Sequence, residues 1–305
     1  MGHNTEGNMP DKNTNSFNLT WLPKKTFEVL ATVSWAEIEK AQKQALTKAG
    51  ETMEIKGFRK GKAPDNLVAE SLSQSKLLEL TLEEIIPNVY SQAMASLGVK
   101  PIISPKIELV SAKEKEDWQV KFTSCEEPEV KLGNYKEEFK KQKTADSIWT
   151  PGKGTKADKK EETPQDLATK KDEKIDKAIK YLLENIKVEV GDPLLESEVN
   201  RKLAELLEQT QRLGLTIDQY LASTGKTIES LKQEYKTQAE KTLSFQFILN
   251  AIAEAEKITV TPEEIDKAIT AAKDDNEKKA LESQKYLLAS MLRQQKTLDF
   301  LSNLL

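Results

Sequence analysis

The 305 residues include one histidine, His3, and one cysteine, Cys125. With a single imidazole, catalysis that needs a histidine base and most zinc chemistry are closed to the chain. With a single thiol there is no intrachain disulfide framework, which fits a reducing compartment. Cys125 itself reads as a small, half-buried strand residue. Aromatics are 6% of the chain, and no run approaches the roughly 18 apolar residues of a membrane span. The first residues, 1–19, are polar and rich in asparagine; they carry no apolar stretch of the secretory type and read as a flexible arm. The expectation is a cytoplasmic protein with no membrane contact.

Charged residues, at 31%, nearly match the hydrophobic 37%, and mean hydropathy is −0.60. That mixture suits long amphipathic helices with solvated outer faces. A net charge of −4 gives the whole chain no general attraction to nucleic acid or anionic lipid, so any basic site must be local.

The length allows two domains. Over residues 25–34, Phe27, Val29, Ala31 and Val33 alternate with other residues at the period of a strand with one buried face. Ser34 with Glu37 three residues on predicts a capping box, opening a helix that runs to about Ala49, before Gly50. Pro64 suits the first turn of a helix carrying Leu67, Val68 and Leu72. Leu78, Leu82, Ile85, Ile86, Val89, Ala93 and Leu97 follow at helical spacing up to Gly98. Pro87, inside that stripe, predicts a kink or a break. Residues 106–110 and 117–123 read as strands, with Trp118, Val120 and Phe122 on one face. Residues 20–134 are therefore an α+β domain.

From 135 to 174 the pattern dissolves into Lys, Glu, Asp, Thr, Pro and Gly, which reads as a charged linker. Residues 175–305 form an all-α domain. Gly191-Asp192-Pro193 opens a helix that Gly214 ends. A short helix over 217–221 leads to Gly225, Thr227 caps a long helix, Thr261-Pro262-Glu263-Glu264 starts another, and a last one begins near Asn276.

One local feature departs from the acidic total. Lys56, Arg59, Lys60 and Lys62 put four cations within seven positions, between Gly57 and Gly61, with Phe58 beside them. Glycines place such a cluster at a loop tip. There Arg offers a planar donor fork to carboxylate or phosphate, and Phe58 can anchor in an apolar pocket. The competing reading is a soluble turn. The spacing lacks the Ser/Thr of a phosphate-binding P-loop, so no nucleotide is implied.

The run Gly57-Phe58-Arg59-Lys60-Gly61-Lys62-Ala63-Pro64 resembles the signature of the bacterial trigger factor family. Residues 127–135, Glu-Pro-Glu-Val-Lys-Leu-Gly-Asn-Tyr, resemble the segment leaving that family's ribosome-binding domain. Residues 192–199 and 221–227 resemble parts of its C-terminal domain. The resemblance implies an α+β ribosome-binding domain followed by an all-α, SurA-like helical domain with arms. It implies docking through Gly57, Phe58, Arg59, Lys60, Gly61 and Lys62 on the large ribosomal subunit near the exit tunnel, on a ribosomal protein and adjacent ribosomal RNA. The helices would hold nascent and unfolded polypeptides without ATP, cofactor or metal. Phe245, Phe247 and Leu249 are candidate client contacts, with helix core as their other reading. Weak homodimerisation off the ribosome is compatible with the family.

The family also carries a prolyl isomerase domain resembling FK506-binding proteins, and residues 135–174 are too short and too charged to fold as one. The expectation is a chaperone that is not an enzyme. Retained isomerase activity and a ribosome-independent SurA-like holdase are the alternatives.

Overall fold

A computed structural model describes residues 15–53, 58, 61, 64–146, 164–272 and 274–304. The chain divides into two units, one of Met1–Glu127 with Gly191–Leu194, the other of Pro128–Val190 with Leu195–Leu305.

The first unit is built on four antiparallel strands: β1 (Ser16–Leu22), β2 (Thr26–Val33), β3 (Lys106–Ser111) and β4 (Trp118–Cys125), in the order β1-β2-β4-β3. Buried and partly exposed residues alternate over Phe27–Val33 and Trp118–Ser124 of the central pair. Phe27, Val29, Ala31 and Val33 face the core beside Trp118, Val120 and Phe122, and all are 4% exposed or less. Three helices supply the other layer: α1 (Trp35–Thr52), α2 (Asp65–Ser71) and α3 (Gln74–Leu97). Ile38 and Ala41 of α1, with Ile85, Val89 and Ala93 of α3, close that core. Each large side chain buried here contributes about 1.5–3 kcal/mol. The outer sheet face is polar, with Lys121 bridging Glu108 at 2.6 Å and Glu28 at 3.7 Å.

Three local expectations need correction, and a fourth is narrowed. Residues 16–19, read as part of a flexible arm, belong to β1, where Phe17 and Leu19 pack on the core; residues 1–14 lie outside the described residues. The strand was hard to see because β1 is an edge strand with only one partly covered face. Ser34 is the N-cap of α1, but its hydroxyl makes no cap bond. Instead Asn15 Oδ1 accepts the Ser34 N–H, its amide donates to Glu37 Oε2 at 2.6 Å, and Asp117 Oδ1 accepts the Trp35 N–H. Segments distant in sequence cap this helix. The helix also passes through Gly50, whose missing side chain lets Val68 of α2 close in; a β-carbon there would lie 3.2 Å from Val68 Cγ2. Finally, of the kink or break expected at Pro87, the break does not occur: α3 continues through it as one helix of 24 residues. Packing of Ile85 and Val89 on either side outweighs the lost hydrogen bond.

The second unit is helical: α4 (Tyr135–Asp146), α5 (Pro164–Asn185), α6 (Asp192–Arg212), α7 (Ile217–Thr224), α8 (Ile228–Ala255), α9 (Pro262–Thr270), α10 (Asp275–Ser283) and α11 (Lys285–Leu304). The first residues of α6, Asp192–Leu194, belong to the first unit. Tyr135, Phe139, Ala178, Leu182, Ile248, Leu249, Ile252 and Leu301 make the second core. Residues read as linker thus include α4 and the first half of α5, and Phe139 is fully buried. Its ring meets Tyr181 edge-on at 5.0 Å. Two aromatics four residues apart are enough to dock a helix that is otherwise charged. The final helix expected from Asn276 is two helices, broken at Gln284.

Candidate functional site

The basic loop connects α1 to α2, and its ends are held together by packing. The α1 helix ends at Thr52, where the Met53 N–H donates to Ala49, and α2 starts after Pro64, whose carbonyl accepts the Leu67 and Val68 N–H groups. Gly61 is in the left-handed region at φ +78, which a residue with a side chain adopts only with strain, and a β-carbon there would lie 3.9 Å from Glu51 Cα. Phe58 is 43% exposed. An aromatic side chain kept half in water is one that the core does not use. Gly57, Arg59, Lys60 and Lys62 lie outside the described residues.

Phe245, Phe247 and Leu249 occupy different environments on α8. Leu249 is 3% exposed and belongs to the second core, so it offers no surface to a client; that assignment is corrected by the burial itself. Phe245 is half-buried against the same core, and Phe247 is half-buried. Periodicity placed all three on a helix but could not tell which turns inward. Exposed apolar side chains lie elsewhere. Around the end of α6 they are Leu207, Leu213 and Leu215; on α11 they are Tyr286, Leu287 and Met291. A signal was available for the α11 set: residues 286–295 hold one charged residue, Arg293, in a chain that is 31% charged.

The electrostatic node of the helical unit is Glu256, the C-cap of α8. A carboxylate is unfavourable at a helix C-terminus, but here Lys136 reaches both its oxygens, at 2.6 and 2.7 Å, and the Tyr135 hydroxyl donates at 2.8 Å. The Lys136 hydrogen bond, reinforced by Tyr135, holds the Glu256 carboxyl below its ordinary range. Burial, then the Glu256 bond, pushes the Tyr135 phenol up and keeps it a donor. Lys136 also stands 5.9 Å from the centre of the Phe300 ring. Among the described residues no group of His, Cys, Asp and Glu is placed to hold a metal ion, and no helix is long and apolar enough to cross a membrane.

Comparison with known proteins gives one consistent result. The family model described as "Bacterial trigger factor protein (TF)" matches residues 16–148, and that described as "Bacterial trigger factor protein (TF) C-terminus" matches residues 154–304. A trigger factor of Carboxydothermus hydrogenoformans is 23% identical over 413 aligned residues, covering 92% of this chain and 97% of its own. One of Streptococcus agalactiae serotype Ia is 22% identical over 391, covering 86% and 92%. One of Listeria innocua is 32% identical over 113 residues, covering 37% and 26%. Aligned lengths above 305 mean that the longer relatives carry residues without counterparts here. A solved structure described as "Promiscuous Substrate Recognition in Folding and Assembly Activities of the Trigger Factor Chaperone" has a TM-score of 0.65 at 16% identity. It covers 94% of this chain and 99% of its own, and shows a shared fold.

Proposed function

Because the chain belongs to the bacterial trigger factor family, we propose that it is a ribosome-associated chaperone that shelters nascent and unfolded polypeptides in the cytoplasm by binding alone. The chain lacks the isomerase-domain region: only residues 149–153 separate its two family matches. With no isomerase domain and no ATP loop, clients bind and leave spontaneously. Weak, repeated contacts with exposed apolar side chains slow aggregation, because exposed hydrophobic surface is what makes folding chains adhere.

The observation that carries this reading is the exposed Phe58 in the segment that joins two packed helices. Phe58, Arg59 and Lys60 form the docking core on the large subunit near the exit tunnel, with Gly57 and Gly61 on either side of them, Gly61 in the left-handed region, and Lys62 adding charge. Cations facing ribosomal RNA and a ribosomal protein make the docking salt-sensitive. Phe245 and Phe247 contribute their accessible edges to client holding.

Co-sedimentation of ribosomes with wild type and with Phe58→Ala/Arg59→Ala/Lys60→Ala tests the docking. Wild type is expected to pellet with large subunits at low salt and to release as salt rises, and the triple variant to stay in the supernatant. Equal pelleting of both proteins overturns the role of the loop.

A further inference from the structure

The chain leaves and re-enters the first unit at one corner. Strand β4 ends at Cys125, and the first unit is left two residues later, after Glu127. The chain returns for four residues, Gly191–Leu194, before α6 continues in the second unit from Leu195. Those four residues sit on the end of β4. Gly191 is buried against the Cys125 side chain and the Lys24 carbonyl, and the Leu194 N–H faces the Cys125 sulfur. The Lys24 ammonium meets the Asp192 carboxylate at 2.9 Å. Lys24 and Lys25 form the β1–β2 turn, with φ of +59 and +53, and the Thr26 N–H donates to the Pro23 carbonyl at 3.3 Å. Left-handed backbone disfavours a residue with a side chain by about tenfold. Here two such residues in succession turn the Lys24 carbonyl toward Gly191.

We infer that Gly191–Leu194 is a strap that opens and closes on the first unit, and that it sets how many chain passages join the two units. Closed, the strap leaves three passages, at residues 127–128, 190–191 and 194–195; open, it leaves only the first. Its hold is light. Pro193 and Leu194 are half-buried, and the buried member of the four, Gly191, has no side chain. Lys24 is 39% and Asp192 66% exposed, and a pair so exposed favours the closed form by only about two- to fivefold, less as salt rises. Opening breaks little else. Residues 186–191 lie between α5 and α6 and belong to neither, so the strap lifts by bending irregular backbone and unwinding the first turn of α6. The link that remains, residues 126–134, is also irregular, between the end of β4 and the start of α4. A single irregular link is a swivel, and a second attachment beside it removes that freedom. The motion requires neither ribosome nor client, so the strap stands apart from the chaperone reading.

Cys125, the one thiol of the chain, is fully buried and reports opening. In the full chain its alkylation by iodoacetamide is expected to quicken about two- to fivefold between roughly 50 and 500 mM salt. Urea well below the unfolding transition is expected to leave the rate unchanged, because a local opening exposes little surface. Asp192→Asn should raise the low-salt rate by the same factor and remove the salt response. Labelling that climbs with urea at the full slope of global unfolding overturns the strap, as does an Asp192→Asn rate equal to wild type. Gly191→Cys then toggles it. A disulfide needs its β-carbons about 3.8 Å apart, so a lift of about 1 Å lets the new thiol join Cys125 under oxidised glutathione and lock the strap. Reduced, the added side chain props it open. Small-angle X-ray scattering is expected to show a broader range of dimensions for the reduced form than for the oxidised one. Identical scattering overturns the coupling of the strap to the freedom of the units. Failure of the two cysteines to join shows that the strap is not seated in solution, and overturns it too.

Discussion

Gly191 lies so close to Cys125 that a β-carbon on the glycine would fall 2.9 Å from the β-carbon of the cysteine, 3.2 Å from its sulfur and 3.3 Å from the Lys24 carbonyl oxygen. The segment Gly191–Leu194 thereby belongs to the first unit although it lies far along the chain. Gly191→Ala must displace backbone as well as side chain. We expect a loss of about 1–3 kcal/mol in urea-induced unfolding. The Cys125 thiol, pushed up in pKa by burial, should also become faster to alkylate. Unchanged stability and labelling would show that the contact relaxes freely.

The capping of α1 makes an unusual ordering of two substitutions. Ser34 occupies the N-cap, yet its hydroxyl is buried with no partner among the described residues. Asn15 supplies the cap and ties Glu37 to Gln92. Asn15→Ala should cost about 1–2 kcal/mol, whereas Ser34→Ala should stay within about 0.5 kcal/mol. Thermal unfolding of both variants decides it; the reverse order would restore the ordinary capping role of the serine.

Both residues bear on how much could be read beforehand. Ser34 was legible as a helix start because capping sequences are local. Asn15 was not, because nothing near it in sequence indicates that its amide will meet a helix beginning some twenty residues later.

Glu256 gives a pH prediction with a definite sign. Its folded carboxyl titrates below the ordinary glutamate value because Lys136 and Tyr135 stabilise the charged form. The stability it contributes is therefore full above the unfolded pKa, about 4.3, and is lost as pH falls through the lower folded value. Glu256→Gln should flatten the stability profile over that acidic window while leaving Lys136 unpaired at neutral pH. Parallel profiles for wild type and variant would remove this node from the acid response.

Prolyl isomerisation offers a direct check on the missing region. In a refolding reaction limited by a proline bond, substoichiometric protein should leave the slow phase unchanged. Acceleration would reveal a catalytic site in a chain that lacks the usual domain.

By itself the sequence determined the periodicities. Strict alternation made Phe27–Val33 and Trp118–Phe122 sheet, and the three-to-four spacing made the C-terminal half helical, because each pattern leaves one continuous apolar face to bury. It also determined the loop signature, whose glycines and cations are local properties of the chain. Tertiary structure decided which apolar residues stay in water. Leu249 and Phe58 are both large and apolar, but one is 3% and the other 43% exposed. Exposure depends on what a second segment brings against each residue, as Phe139 docks α4 on a core that its charged neighbours gave no sign of sharing. Helical spacing orients a side chain about its own axis; only packing supplies the surface it meets.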